Sequence, residues 1–155
     1  MRHLLSAAAI AGLAVLVAAP AAFALTPFAL DAPPRPRVTA SDGAHEQAAR
    51  GSYCWSTRHS GICADTSDPM TYAPTLRIPA GTSQVIRMRH AVTSLAAFNR
   101  RGDHFQLEPL GDGGRRFRLR VDHPSAPHPT AVYLSARYGA TGDGSFAIKL
   151  KPHGR

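Results

Sequence analysis

The sequence predicts an all-β fold: an antiparallel β-sandwich of immunoglobulin-like architecture, with seven or eight short strands and one disulfide hairpin. Three observations carry that expectation. Apolar and polar residues alternate with period two through most of the chain after Gly51, the pattern of strands with one buried face. The 13 glycines and 13 prolines cut the chain into pieces too short for long helices. Turn signals recur at sandwich spacing, and nothing has the strand–helix alternation of a parallel sheet.

The first segment stands apart from this pattern. Arg2 and His3 precede an apolar run from Leu4 to Ala19, Pro20 breaks the run, and Ala22-Phe23-Ala24 follows with small residues at both ends. That arrangement reads as a secretory signal peptide cleaved after Ala24. A spanning helix needs about 20 apolar residues. The stretch to Leu25 nearly reaches that length, but it is alanine-rich, ends in a helix breaker and has no basic cluster immediately after it. The expectation is therefore cleavage, with no membrane span left in the exported chain. No cysteine marks a lipid attachment site and no twin-arginine pair precedes the run, so the ordinary secretory route is expected. The domains read as 1–24 signal peptide, 25–37 proline-rich extended leader and 38–155 a single sandwich domain, located outside the cytoplasm in a periplasm or the medium.

Within the leader, Pro27, Pro33, Pro34 and Pro36 exclude a regular element. Residues Asp42 to Arg50 are compatible with one helical turn, a loop or a strand crossing. Ser52 to Ser56 fits a strand, Arg58 to Gly61 a turn, and Ile62 to Asp65 the returning strand. This hairpin sets Cys54 opposite Cys63. In an exported chain two cysteines at this spacing read as a structural disulfide. The separation does not suit a redox pair, and no second pair completes a zinc site. Asp68-Pro69 and Ala73-Pro74 mark a long connection. Leu76 and Ile78, Ile86 and Met88, Val92 to Phe98, Phe105 and Leu107, Phe117 to Val121, Val132 to Tyr138, and Phe146 to Leu150 supply the remaining strands. Trp55, the only tryptophan, is expected to pack on the disulfide in the core. Asp65 is expected to cap the exit from the hairpin.

The run Gly51-Ser52-Tyr53-Cys54-Trp55-Ser56, followed by Gly61-Ile62-Cys63-Ala64-Asp65 and Pro69, resembles a group of uncharacterised exported bacterial proteins, secreted or lipid-anchored. They carry G-x-Y-C-W and then G-x-C-x-D in a disulfide hairpin, with a strand after a Pro-Ala-Gly turn like that at Leu76 to Arg89. The resemblance covers roughly residues 51 to 90 and implies an envelope-associated β-sandwich. It brings no activity and no functional residues, and this chain departs from many such proteins in having no lipid-attachment cysteine.

Function is less plainly written. The formal charge is +8, with lysine only at 149 and 151, so the cationic character is arginine's. A basic exported protein adheres to anionic envelope polymers. Arg87, Arg89, Arg116, Arg118, Arg120 and Arg137 fall on the outward side of their strands, as do Lys149 and Lys151. If their strands neighbour one another, the arginines form an anion-binding patch suited to phosphate or carboxylate. Nucleic acid is not expected, since no aromatic-basic motif of a nucleic-acid fold appears. Seven histidines follow the signal segment, and His123 and His128, in a proline-rich turn, are weak candidates for a metal pair. An exported sandwich with histidines and Met70 or Met88 admits a copper carrier as an alternative. No nucleophile turn, paired-acid motif or zinc-protease helix is present, so no catalytic residue is assigned and a hydrolase ranks third. The expectation is an exported non-catalytic domain, without a cofactor, that binds a protein partner or an anionic envelope component.

Overall fold

The computed structural model describes residues 32–57, 60–111, 113–121 and 128–153. Eleven strands form over them: β1 (Arg37–Thr39), β2 (His45–Gln47), β3 (Ala49–Ser56), β4 (Gly61–Ala64), β5 (Thr75–Pro79), β6 (Gln84–Arg87), β7 (Ser94–Phe98), β8 (Gln106–Pro109), β9 (Arg116–Arg120), β10 (Thr130–Arg137) and β11 (Gly142–His153). Among the described residues the only helical pieces are two single 3₁₀ turns, Pro69–Thr71 and Gly139–Thr141. The all-β sandwich is therefore what the alternating pattern specifies. The first sheet has the order β2-β1-β6-β9-β8 and is antiparallel throughout. The second has the order β4-β3-β11-β10-β7, and β5 also pairs with β11.

The core lies between the sheets. Val38, Ile86, Phe117 and Leu119 face inward from the first sheet, and Trp55, Val132, Leu134, Phe146, Ile148 and Leu150 from the second. Trp55 is 1% exposed and meets Tyr138 edge-on with ring centroids 5.0 Å apart. Burial of that phenol holds its pKa well above the ordinary tyrosine range. Trp55 thus has the core role that its size and apolar surface favour. Cys54 and Cys63 are exposed, because neighbours along a strand face opposite ways, so the disulfide is not part of that core.

The hairpin β3–β4 pairs Tyr53 with Ala64, Cys54 with Cys63 and Trp55 with Ile62, and the two cysteines are joined. Its expected turn includes Arg58 and His59, which lie outside the described residues. At the exit, Ser52 donates its hydroxyl to Asp65 (2.6 Å) and accepts from the Thr66 amide (3.2 Å). Asp65 therefore ties the returning chain back to β3.

Three departures from the sequence reading have physical causes. First, there are eleven strands where seven or eight were expected. Part of the excess is two three-residue strands: β1 at the leader–domain boundary, and β2 within Asp42 to Arg50, which was compatible with a helical turn, a loop or a strand crossing. Pro33, Pro34 and Pro36 are buried, so the described domain includes part of the expected leader. Second, β11 changes neighbour along one edge. It runs antiparallel to β3 from Gly142 to Ala147, then parallel to β5 from Lys149 to His153. One parallel pair thus enters an otherwise antiparallel sandwich. Third, Ala147 alternates to the outer face yet is fully buried, because the Asp68 to Pro74 connection lays Met70 and Ala73 over it.

Candidate functional site

Cross-strand register decides which arginines meet. Arg37 of β1 is directly opposite Arg87 of β6, and Arg87 is directly opposite Arg116 of β9. Residues opposite one another share a face. Val38, Ile86 and Phe117, one residue along, form the matching inward row. The three arginines are therefore a row across the outer face of the first sheet, with backbones about 4.8 Å apart. Gln47 of β2, opposite Arg37, extends the row to a fourth strand.

Around this row a groove of about 490 Å³ forms, lined by Arg35, Arg37, Arg87, Arg89, Arg115 and Arg116 together with Gln47 and Met88. Arg35 precedes β1 and donates from Nη2 to the Gln47 side-chain oxygen at 2.7 Å. The Met88 amide donates to the Arg115 carbonyl at 2.8 Å, which sets Arg89 and Arg115 side by side past the ends of β6 and β9. Among the described residues no carboxylate lines the groove. The field is felt by His90, whose pKa is lowered by burial first and then by Arg89 and Arg115. Past Arg35, Arg37 and Gln47 the groove continues into a hollow of about 720 Å³, where His45, Glu46, Arg50 and Tyr72 join the lining.

The outward arginines read from the sequence therefore divide. Arg87, Arg89 and Arg116 converge on the groove. Arg118 is on the same outer face but is engaged by Glu108 of β8 at 2.9 Å, and Arg120 is opposite Gln106; neither lines the groove. Arg137 is on the other sheet, lining a hollow beside the disulfide with Asp65 and Asp143. The six arginines thus do not make one patch. Conversely, Arg35, Arg37 and Arg115 line the groove without having been singled out. The Arg37-Val38-Thr39 alternation was a signal for the second of these, masked by the prolines that precede it.

Among the described residues no three His, Cys, Asp or Glu side chains come together to hold a metal ion. His128 is exposed and His123 lies outside the described residues. His153 approaches Asp42 at 3.4 Å in an exposed surface pair. Among the described residues no helix is long and apolar enough to cross a membrane.

Comparison with protein-family models, curated proteins and solved structures gives no match for this chain.

Proposed function

We propose that this is an exported, non-catalytic binding domain whose arginine groove takes an anionic ligand, a component of the cell envelope. One observation carries the reading: six arginines from three separate chain segments line one groove, and its described lining contains no carboxylate. Guanidinium forks are matched to oxyanions, and a concave cationic surface focuses the field on whatever enters. The disulfide suits an oxidising compartment, and the amino-terminal segment has the composition of a signal peptide.

Binding of anionic polymers to the purified, oxidised protein by calorimetry at physiological salt tests the reading. The expected result is saturable binding that weakens at least tenfold in Arg87→Gln/Arg116→Gln and is unchanged in Arg137→Gln. Equal loss in both variants, or no binding, overturns it. Cleavage after Ala24 is checked by the amino-terminal sequence of the protein recovered from outside the cytoplasm.

A further inference from the structure

We infer that the occupant of the groove is a linear chain of phosphate groups that crosses the strands, rather than an isolated anion; the inference rests on the anion-binding reading above. The row from Gln47 through Arg37 and Arg87 to Arg116 runs perpendicular to β2, β1, β6 and β9, over about 14 Å. A strand direction has a side chain on this face every second residue, whereas the cross-strand direction has an arginine on each of three successive strands. The cationic axis of the site is therefore a line across the sheet. Arg35 and Gln47 carry it on into the adjoining hollow. A groove of about 490 Å³ is in the size range that holds ligands of many atoms, and a single phosphate would leave most of it empty.

The kind of anion follows from the spacing. Neighbouring arginines rooted about 4.8 Å apart place two forks against one bound group. A carboxylate has two oxygens, and one fork uses both. A phosphate within a chain keeps unesterified oxygens on two sides, and so accepts from forks on adjacent strands while its esters continue to the next group. A lipid surface is disfavoured by shape, since the arginines lie in a groove and the two exposed large apolar side chains among the described residues, Ile62 and Tyr72, are on different segments. A nucleic acid is disfavoured by the lining, because the arginine groove itself contains no aromatic side chain on which bases would stack.

The test is a chain-length series on the full, oxidised protein: orthophosphate, tripolyphosphate and long-chain inorganic polyphosphate, with polygalacturonate and a single-stranded oligonucleotide as comparators. Affinity is expected to rise at least tenfold at each step of the phosphate series. For the long chain, log K against log salt should have a slope of about −2 to −3, as for three or four neutralised phosphates. Arg87→Gln, in the middle of the row, should weaken the long chain about tenfold and flatten that slope by about one. Arg118→Gln should leave both unchanged. Far-UV circular dichroism confirms that each variant folds, and Arg37→Gln serves as a second probe of the row. Orthophosphate binding as tightly as the long chain per phosphate overturns the linear chain while leaving the anion site in place. Polygalacturonate or the oligonucleotide binding more tightly than polyphosphate overturns the phosphate assignment. If no anion binds, both this inference and the proposed function fall.

Discussion

Arg87 stands between two arginines, and among the described residues no carboxylate lines the groove around it. Like charges directly opposite across strands are destabilising. The row is therefore expected to weaken the unliganded fold, the trade that the proposed binding role would entail. Arg87→Gln is expected to raise stability by a few tenths of a kcal/mol in low salt, and by less as salt screens the repulsion. The same substitution lowers ligand affinity, and thermal melts at low and high salt alongside calorimetry check this opposite movement. A variant both less stable and weaker in binding would assign Arg87 a packing role. His90 reports the same field. Its folded pKa is below the unfolded value of about 6.5, so the unfolded chain takes up a proton more readily. The contribution to stability is complete above pH 6.5 and is lost as pH falls through the lower folded value. A polyanion seated against Arg89 and Arg115 offsets their charge and should raise the His90 pKa, as read from its ring-proton NMR titration with and without ligand. Period-two alternation made Arg87, Arg89 and Arg116 legible as outward side chains. Arg35 and Arg37 were obscured because the prolines just before β1 mask that three-residue strand, and Arg115 because it precedes β9 and shares no alternation with it.

At the scale of elements, β3–β4 was the most legible part of the molecule, since a cysteine pair and a turn between two short β runs allow few arrangements. The disulfide closes a short loop, and replacing both cysteines with serine is expected to reduce stability by about 2–3 kcal/mol in the chain-entropy model. Neither cysteine lines the arginine groove, so polyanion affinity should survive below the new melting temperature. Denaturant titration paired with a binding measurement separates the two effects. Gly142, where β11 begins, lies ahead of the strand expected from Phe146 to Leu150. It has φ +137°, and a Cβ there would collide with the Cys54 carbonyl, so the strand can start against β3 only with glycine. Such pairing depends on a partner about 90 residues away, and no local pattern announces it. The second apolar cluster, Ala49, Met70, Ala73 and Ala147, was hidden for a similar reason: alternation marks two faces but not the loop that covers one.

At the scale of the whole molecule, the sandwich assigns separate tasks to its two outer faces. One carries the arginine row, and the other carries the disulfide hairpin and the Asp68 to Pro74 cover. The sheet class was legible because most of the strands have one apolar face. Strand order was not, because pairing is long-range, and strand order decides which arginines meet. A ligand that binds only the folded protein stabilises it by mass action, so long-chain polyphosphate should raise the melting temperature of the native chain and not that of Arg87→Gln/Arg116→Gln. Differential scanning fluorimetry checks this.

The change of neighbour along β11 has a consequence for how the chain comes to be folded. Of the described strands it is made last, and β3, β5 and β10 all wait for it. Until it emerges, each of those three has an unsatisfied edge, which is adhesive toward other chains. A chain ending before Gly142 should therefore recover from expression as aggregate, and supplying residues 142–155 as a separate peptide should restore solubility by filling the gap. Folding led by such distant pairings is slow. If the chain is exported, as proposed above, such a delay would keep it threadable while it crosses the membrane and let it lock on the far side.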